Sequence, residues 1–333
     1  MLIFYDESGT FTSTLDKTSI SLIGILIIPE DTFSKIEKKY KRIRNTLPNK
    51  NGEVKGRLLT ENQVDSIVTM LAKNDVIFLV ECIDMSLHTN VGIEAHKKAA
   101  EEGITANLTD KHHENIINKS RELSDRLSKM PKQLYVQSVL TFSGIYKAVE
   151  LATLYYCQRR PKVLHKFEWV FDAKNKEGIT DWEDWWSSTV MPVLQSKSVR
   201  EPLPQFEDGD YTYFERFYSE IPEYLLPYIK DPNKKEGFDI RKIMMESFRF
   251  SSNSEMGLEL VDILTNATRR ALIGNLKKSG WQNIPKLMIH RTQHYINLVG
   301  LEDFKTPKTT PYIDVLNYFR KGGKDMLTRK NRS

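Results

Sequence analysis

Two aspartates follow short apolar runs, at positions from which their carboxylates can reach a common cleft. Asp6 directly follows the run Leu2–Tyr5, and Asp172 follows the run Trp169–Phe171. Ligand sites of α/β sheets gather at strand ends, where an acid projects from a rigid element without the high cost of burial in mid-strand. A single Asp after a strand more commonly only caps a loop. The occurrence of two such acids favours a functional interpretation.

A third acid, Asp262, lies in the apolar stretch 257–264, between Val261 and Ile263. Helical spacing places it on or beside the apolar face, with Glu259 one turn earlier on the same side. A carboxylate on a core-facing stripe requires a partner, and a divalent cation shared with other acids supplies one. The alternative is a salt bridge to an arginine of the same region, namely Arg249, Arg269 or Arg270.

Acids drawn from separate elements suit a hard divalent cation. Mg²⁺ takes oxygen ligands and keeps several waters, so a few carboxylates can hold one or two ions. In phosphodiester hydrolysis two such ions, about 3.5–4 Å apart, stabilise the attacking and the leaving oxygen. We therefore predict a metal centre that uses Mg²⁺ or Mn²⁺. Its predicted ligands are Asp6, Asp172, Asp262 and Glu259.

Four ordered segments resemble the motifs of the domain-of-unknown-function 3800 family. They are Ile3–Gly9, Glu53–Gly56, the strand that ends in Asp172, and Ser254–Asp262. The opening Asp-Glu-Ser-Gly and the late Gly-Leu-x-Leu-x-Asp are the most recognisable features, and the resemblance extends from residue 3 to about residue 272. It implies an RNase H-like fold and a nuclease or nuclease-derived role, in some members near mobile elements or phage-defence genes.

Carried over residue by residue, the resemblance implies five catalytic residues. They are Asp6, Glu7, Lys55, Asp172 and Asp262. Glu259 departs from the family, which more often has Gln there. Lys55 has two interpretations, since an ammonium beside a scissile phosphate offsets developing charge, whereas a Lys in a polar loop is usually only solvated.

The alternation of apolar segments predicts an α/β fold, with an RNase H-like mixed central sheet flanked by helices and a helical insertion. Strands are expected at 2–5, 19–28, 76–85, 166–171 and 242–250, and helices at 32–47, 60–71, 133–159, 182–194 and 255–272. We expect one RNase H-like domain over residues 1–275, with a helical insertion at 88–131 and an irregular excursion at 198–238. Residues 276–333 are expected to form a C-terminal extension whose basic tail, from Arg320, is disordered.

Composition favours a cytoplasmic protein without a disulfide framework. Only Cys82 and Cys157 occur, and the longest apolar stretch, Leu22–Ile28, is far shorter than the roughly 20 residues of a membrane helix. Lys and Arg outnumber Asp and Glu by 49 to 44. This small excess of positive charge is compatible with an anionic partner but does not by itself indicate one. We expect nucleic acid as the partner and no membrane association, and the oligomeric state stays open.

Two competing interpretations remain at the sequence level. Glu53 and Lys55 fit the E-x-K half of a restriction-type PD-(D/E)xK nuclease site, but their polar, glycine-containing surroundings predict a loop where that site needs a core strand. The other alternative is a catalytically inactive RNase H-like module that binds nucleic acid or protein. Basic residues of the predicted helix 32–47 can track a phosphate backbone, although a solvated outer face explains them as well. They are Lys38, Lys39, Lys41, Arg42 and Arg44.

Overall fold

The computed structural model describes most of the chain. It covers residues 1–12, 19–106, 108–110, 112–173, 201–221, 236–245, 247–291, 295–302 and 312–328, and a few residues between 185 and 198 and at 226. The predicted helix 182–194 therefore lies largely outside the described residues. Of its three tryptophans only Trp185 is described; it is buried and packs on Phe142, with ring centroids 5.6 Å apart.

A mixed six-stranded sheet forms the centre of the fold. In chain order, the strands of the described residues, including two outside this sheet, are β1 (Leu2–Ser8), β2 (Ile20–Ile28), β3 (Ile77–Asp84), β4 (Glu168–Asp172), β5 (Tyr218–Glu220), β6 (Glu236–Phe238), β7 (Phe248–Ser251) and β8 (Ile296–Leu298). The central sheet has the order β7-β4-β1-β2-β3-β8, while β5 and β6 form a separate antiparallel pair. Strands β1, β2 and β3 are antiparallel neighbours, β4 and β7 run parallel to β1, and β8 runs parallel to β3.

Helices cover both faces of this sheet. They are α1 (Glu30–Arg44), α2 (Glu61–Ala72), α3 (Asn90–Thr105), α4 (Glu114–Lys129), α5 (Lys132–Tyr156), α6 (Ile240–Met245), α7 (Met256–Leu272), α8 (Lys278–Trp281) and α9 (Ile313–Phe319). Helix α5 packs on one face, and α7 with α1 and α2 on the other, so that each face carries its own apolar core. This explains why every residue of β2 is buried and why its sequence is apolar throughout.

The predicted α/β class with a mixed, helix-flanked sheet is confirmed. One predicted element is wrong, since a strand was expected over 242–250 and the chain instead forms α6 followed by the short strand β7. The cause is a helix start that the sequence pattern did not show. The Asp239 carboxylate accepts the backbone N–H of Arg241 at 3.0 Å and thus caps the first turn of α6.

Helices α3 and α4 occupy most of the range 88–131, and α3 packs on α4 and on α5. The range 198–238 contains a short 3-10 turn, β5 and β6, and its residues 199–200, 222–225 and 227–235 lie outside the described chain. The assignment of these ranges as an insertion and an excursion stays a prediction.

The chain beyond residue 275 contributes directly to the central layers. Strand β8 pairs with β3, and α9 packs against α7. The expected disorder from Arg320 is wrong for residues 320–328, because Arg159 donates to the backbone carbonyls of Asp325, Met326 and Leu327. A guanidinium supplies several fixed donors, which is enough to hold an otherwise irregular segment. Residues 329–333 lie outside the described chain.

Both cysteines are buried free thiols, as the sequence predicts. Among the described residues, none of the helices has the length and apolar character needed to cross a membrane.

Candidate active site

Asp6 and Asp172 lie side by side on neighbouring parallel strands. The last paired positions of β1 and β4 are Tyr5 and Phe171. Their ring centroids are 4.9 Å apart in the core under α5. Side chains alternate between the faces of a strand, so the next residue on each strand projects to the opposite face, where α7 lies. The two aspartates therefore share one face at one edge of the sheet.

Helix α7 brings the third acid onto that face because small residues let it approach the strands closely. A Cβ added to Gly257 would lie 2.2 Å from the Phe4 ring, and one added to Gly24 would lie 2.0 Å from the Thr265 hydroxyl. Both contacts show that the helix and the sheet leave no room for a side chain at these points. The close packing fixes Asp262, midway between the two contacts on α7, above β1.

The carboxyl groups of Asp6 and Asp262 lie close enough to interact through a hydrogen bond. Asp6 is only 8% exposed, and burial raises the pKa of Asp262, although the Gly56 N–H and the nearby Lys55 oppose this rise. An ionised carboxylate is an acceptor only, so a hydrogen bond between two carboxyls requires a proton on one of them. The pair is thus a place where negative charge must be neutralised by a proton or by a cation.

Asp172 interacts with this pair through space. Burial raises its pKa, Lys55 lowers it, and Glu53 and Asp262 raise it further. The pKa of Asp172 is raised overall, which is the signature of carboxylates that crowd one another in a poorly solvated place. Asp262 thus interacts with both Asp6 and Asp172, and the three aspartates predicted from sequence lie on one side of the sheet.

A loop carrying Glu53–Gly56 covers the acids and is held to α7 by its backbone. The Gly56 N–H donates to the Asp262 carboxylate at 2.6 Å, and the Val54 N–H donates to Glu259 at 3.0 Å. A Cβ on Gly56 would lie 2.8 Å from the Ile263 Cα, so only glycine permits this approach. Residues 53–55 form no core strand, as predicted, which argues against a restriction-type site.

Glu259 does not face the other acids as a free ligand. Its carboxylate accepts two hydrogen bonds from Arg44, at 2.7 Å each, and others from Tyr40, Ser254 and the Val54 N–H. Burial alone would raise its pKa, but these donors outweigh burial and lower it. We therefore replace the predicted metal-ligand role of Glu259 by a structural one. It anchors the loop and α1 to α7.

Lys55 lies between the acids, and its position reveals Glu53 as a further site residue. The Lys55 ammonium is 2.8 Å from the Glu53 carboxylate, and the two side chains are about equally exposed, at 31% and 30%. Burial lowers the pKa of Lys55, but Glu53, Asp262 and Asp172 outweigh burial and raise it. The sequence prediction included Glu53 in a family-like segment and in the restriction-type motif but not among the site residues, although its spacing from Lys55 was the available signal.

Glu7, predicted as catalytic, lies on the other face of the sheet. It follows Asp6 in β1, so strand alternation directs its side chain toward the α5 layer, as for Tyr5. We therefore do not place Glu7 with the three aspartates.

The chemistry of these three side chains fits a hard divalent ion. Asp6, Asp172 and Asp262 supply carboxylate oxygens, the ligand type that Mg²⁺ and Mn²⁺ prefer. Within the described residues, however, no three His, Cys, Asp or Glu side chains are already gathered at the distances of a metal site.

Comparison of the chain with protein-family models, with curated proteins and with solved structures found no match.

Proposed function

We propose that this protein is a divalent-metal-dependent nuclease with an RNase H-like core, acting on phosphodiester bonds of RNA or DNA. The observation that carries the proposal is the close approach of the Asp6 and Asp262 carboxyls, with Asp172 on the same face of the next strand. Such a buried, coupled acid group is costly unless a cation neutralises it. A structural role alone gives no reason to assemble it.

The architecture supports an RNase H-like assignment. Three antiparallel strands, β3, β2 and β1, are continued by β4 and β7, which run parallel to β1, and the acids lie on β1, on β4 and on a helix packed over them. The ordered motifs that resemble the domain-of-unknown-function 3800 family include the segments that supply these acids. The strand order and the ordered motifs thus support the same proposal as the acids they carry.

The side chains have distinct roles in this proposal. Asp6, Asp172 and Asp262 would hold Mg²⁺ or Mn²⁺, which stabilises the attacking and the leaving oxygen of a phosphodiester. The Gly56 N–H fixes the orientation of Asp262, since it occupies one carboxylate oxygen from the side of the loop. The Lys55 ammonium offsets negative charge on a phosphate that approaches the acids.

A cleavage assay tests the proposal. The purified protein is incubated with single- and double-stranded RNA and DNA, with Mg²⁺, with Mn²⁺ or with a chelator. We expect cleavage of at least one substrate only with metal, and loss of cleavage in Asp6→Asn and in Asp262→Asn. The matched control is Asp314→Asn, an exposed aspartate on α9, which should cleave like the wild type.

Two results would count against the proposal. Cleavage that persists in both Asn variants would separate the activity from these acids. Absence of cleavage on all four substrates, together with metal-dependent stabilisation of the fold, would instead favour the inactive nucleic-acid- or protein-binding module.

A further inference from the structure

Six cationic side chains form a strip along the outside of α1 and the loop that follows it. We call this set the basic strip; it comprises Lys35, Lys38, Lys39, Arg42, Lys50 and Arg57. All are exposed except Lys39, which is half-buried. Within α1, Ile36 and Tyr40 face the core, so the helical period directs Lys35, Lys38 and Arg42 to the opposite, solvent side.

Ion pairing distinguishes the basic strip from the other cations of α1. Lys41 pairs with Glu37 at 3.1 Å, and Arg44 pairs with Glu259 at 2.7 Å. None of the six strip residues makes an ion pair within the part of the chain that the structure describes. No carboxylate of the described ranges therefore neutralises their positive charge, as one would on a helix whose outer charges balance each other.

The strip leads to the acid group. Arg57 directly follows Gly56, whose N–H binds Asp262, and Arg44 at the end of α1 donates to Gly52 in the same loop. At a rise of 1.5 Å per residue, Lys35 and Arg42 are about 10 Å apart along α1, comparable to about three phosphates of one strand at 3.4 Å each. The spacing thus suits a phosphate backbone.

We infer that the basic strip binds the sugar–phosphate backbone of the nucleic acid whose scissile phosphate lies at the acids. This inference rests on the proposed function. The acids themselves repel a polyanion, so cations beside them are needed to hold the substrate near the metal ligands. Phosphate contacts position a nucleic acid without reading its sequence, and unpaired lysines and arginines on a rigid helix are suited to that task.

Binding measurements on a triple-neutral variant test the strip separately from catalysis. Lys35→Gln, Lys38→Gln and Arg42→Gln are combined in an Asp262→Asn background, so that substrate is bound without being cut. Fluorescence anisotropy then measures Kd for labelled single-stranded RNA, single-stranded DNA and duplex DNA over a range of KCl concentrations. The matched control neutralises three exposed cations of α4 in the same background, namely Lys119, Arg121 and Lys129.

We expect the α1 variant to bind at least about tenfold more weakly, and its plot of log affinity against log salt to be shallower by about 2–3, since each lost phosphate contact removes about 0.7–0.9 from that slope. The α4 control should keep the affinity and the slope of the parent. Equal losses in the two variants, no loss in the α1 variant, or no nucleic-acid binding by the parent would each overturn the inference. Specific loss in the α1 variant supports the strip even if the wild type cleaves nothing, which would contradict only the proposed function.

Discussion

The carboxyl of Asp6 on β1 lies within hydrogen-bonding reach of the carboxyl of Asp262 on α7, across the interface of sheet and helix. This contact links two parts of the chain more than 250 residues apart. The site lowers the stability of the fold when Asp262 is ionised, since burial raises the pKa of Asp262 and so disfavours its charged form. A group with a raised folded-state pKa destabilises the protein increasingly as the pH rises through that pKa.

Replacing one acid should therefore stabilise the metal-free protein. Asp262→Asn keeps an oxygen acceptor for the Gly56 N–H but carries no charge, so its Tm without metal at neutral pH should exceed that of the wild type by a few degrees. The gain should shrink toward acidic pH, where the wild-type carboxyl is protonated. Thermal melting in the presence of a chelator measures both effects. A variant that is less stable than the wild type across this range would show that the carboxylate stabilises the fold.

Lys55 should contribute to the reaction rather than to metal binding. Lys55→Met removes positive charge that now lies beside Asp172 and Asp262, so divalent-ion affinity should stay equal or increase, while the single-turnover cleavage rate should fall about 100-fold. Calorimetry and rapid-quench kinetics give the two quantities. Lys73→Met, an exposed lysine after α2, is the matched control and should change neither. Loss of metal affinity with Lys55→Met would contradict this division of roles.

The hydrogen bonds that Glu259 accepts from α1 and from the loop make this residue important for stability. Glu259→Ala leaves Arg44 and the Val54 N–H without their buried acceptor, and we expect a loss of about 3–5 kcal/mol in the free energy of unfolding. Because the pKa of Glu259 is lowered, its contribution is present above the ordinary glutamate pKa and is lost as the pH falls. Chemical denaturation at several pH values measures this.

Glu259→Gln distinguishes the structural role of Glu259 from a role as a metal ligand. The Gln amide keeps one acceptor oxygen, so the destabilisation should be smaller than for Ala, and divalent-ion affinity should match the wild type. Abolished metal binding in a Glu259→Gln protein of unchanged Tm would restore Glu259 to the ligands.

Gly56 tests the contact between the loop and α7. The Cβ of Gly56→Ala would meet backbone atoms of Asp262 and Ile263, so the loop must move and its N–H must leave the Asp262 carboxylate. We expect a loss of about 1–3 kcal/mol in stability and a lower cleavage rate. Gly103→Ala is the control, because its Cβ meets nothing within 4 Å in α3 and should be neutral or stabilising. Equal behaviour of the two variants would refute the role of Gly56.

The sequence predicted Asp6 and Asp172 because each is an acid at the end of an apolar strand segment, and Asp262 because it is an acid on or beside the apolar face of a predicted helix. It could not separate Glu7 from Asp6, since the face that a strand residue occupies depends on which neighbours cover each side of the sheet. It assigned Glu259 to the metal because the donors that enclose Glu259 come from α1 and the loop, which lie some 200 positions earlier in the chain. Such contacts leave no local pattern.

The C-terminal segment shows the same limit. Gly- and Lys-rich composition predicted disorder from Arg320, but Arg159 at the end of α5 binds three carbonyls of that segment. The strand β8 was also not predicted, because three residues at a sheet edge carry too short a pattern to recognise. Strands β2 and β3 were predicted closely because both are long and buried on both faces.

The central claim is that Asp6 and Asp262 belong to one divalent-metal site, and isothermal titration calorimetry with Mn²⁺ tests it most directly. The account predicts that the wild type and the control Asp314→Asn bind Mn²⁺ with the same affinity, and that Asp6→Asn and Asp262→Asn, although folded, lose this binding. Wild-type protein that binds no divalent ion, or Asn variants that bind Mn²⁺ as tightly as the wild type, would contradict it.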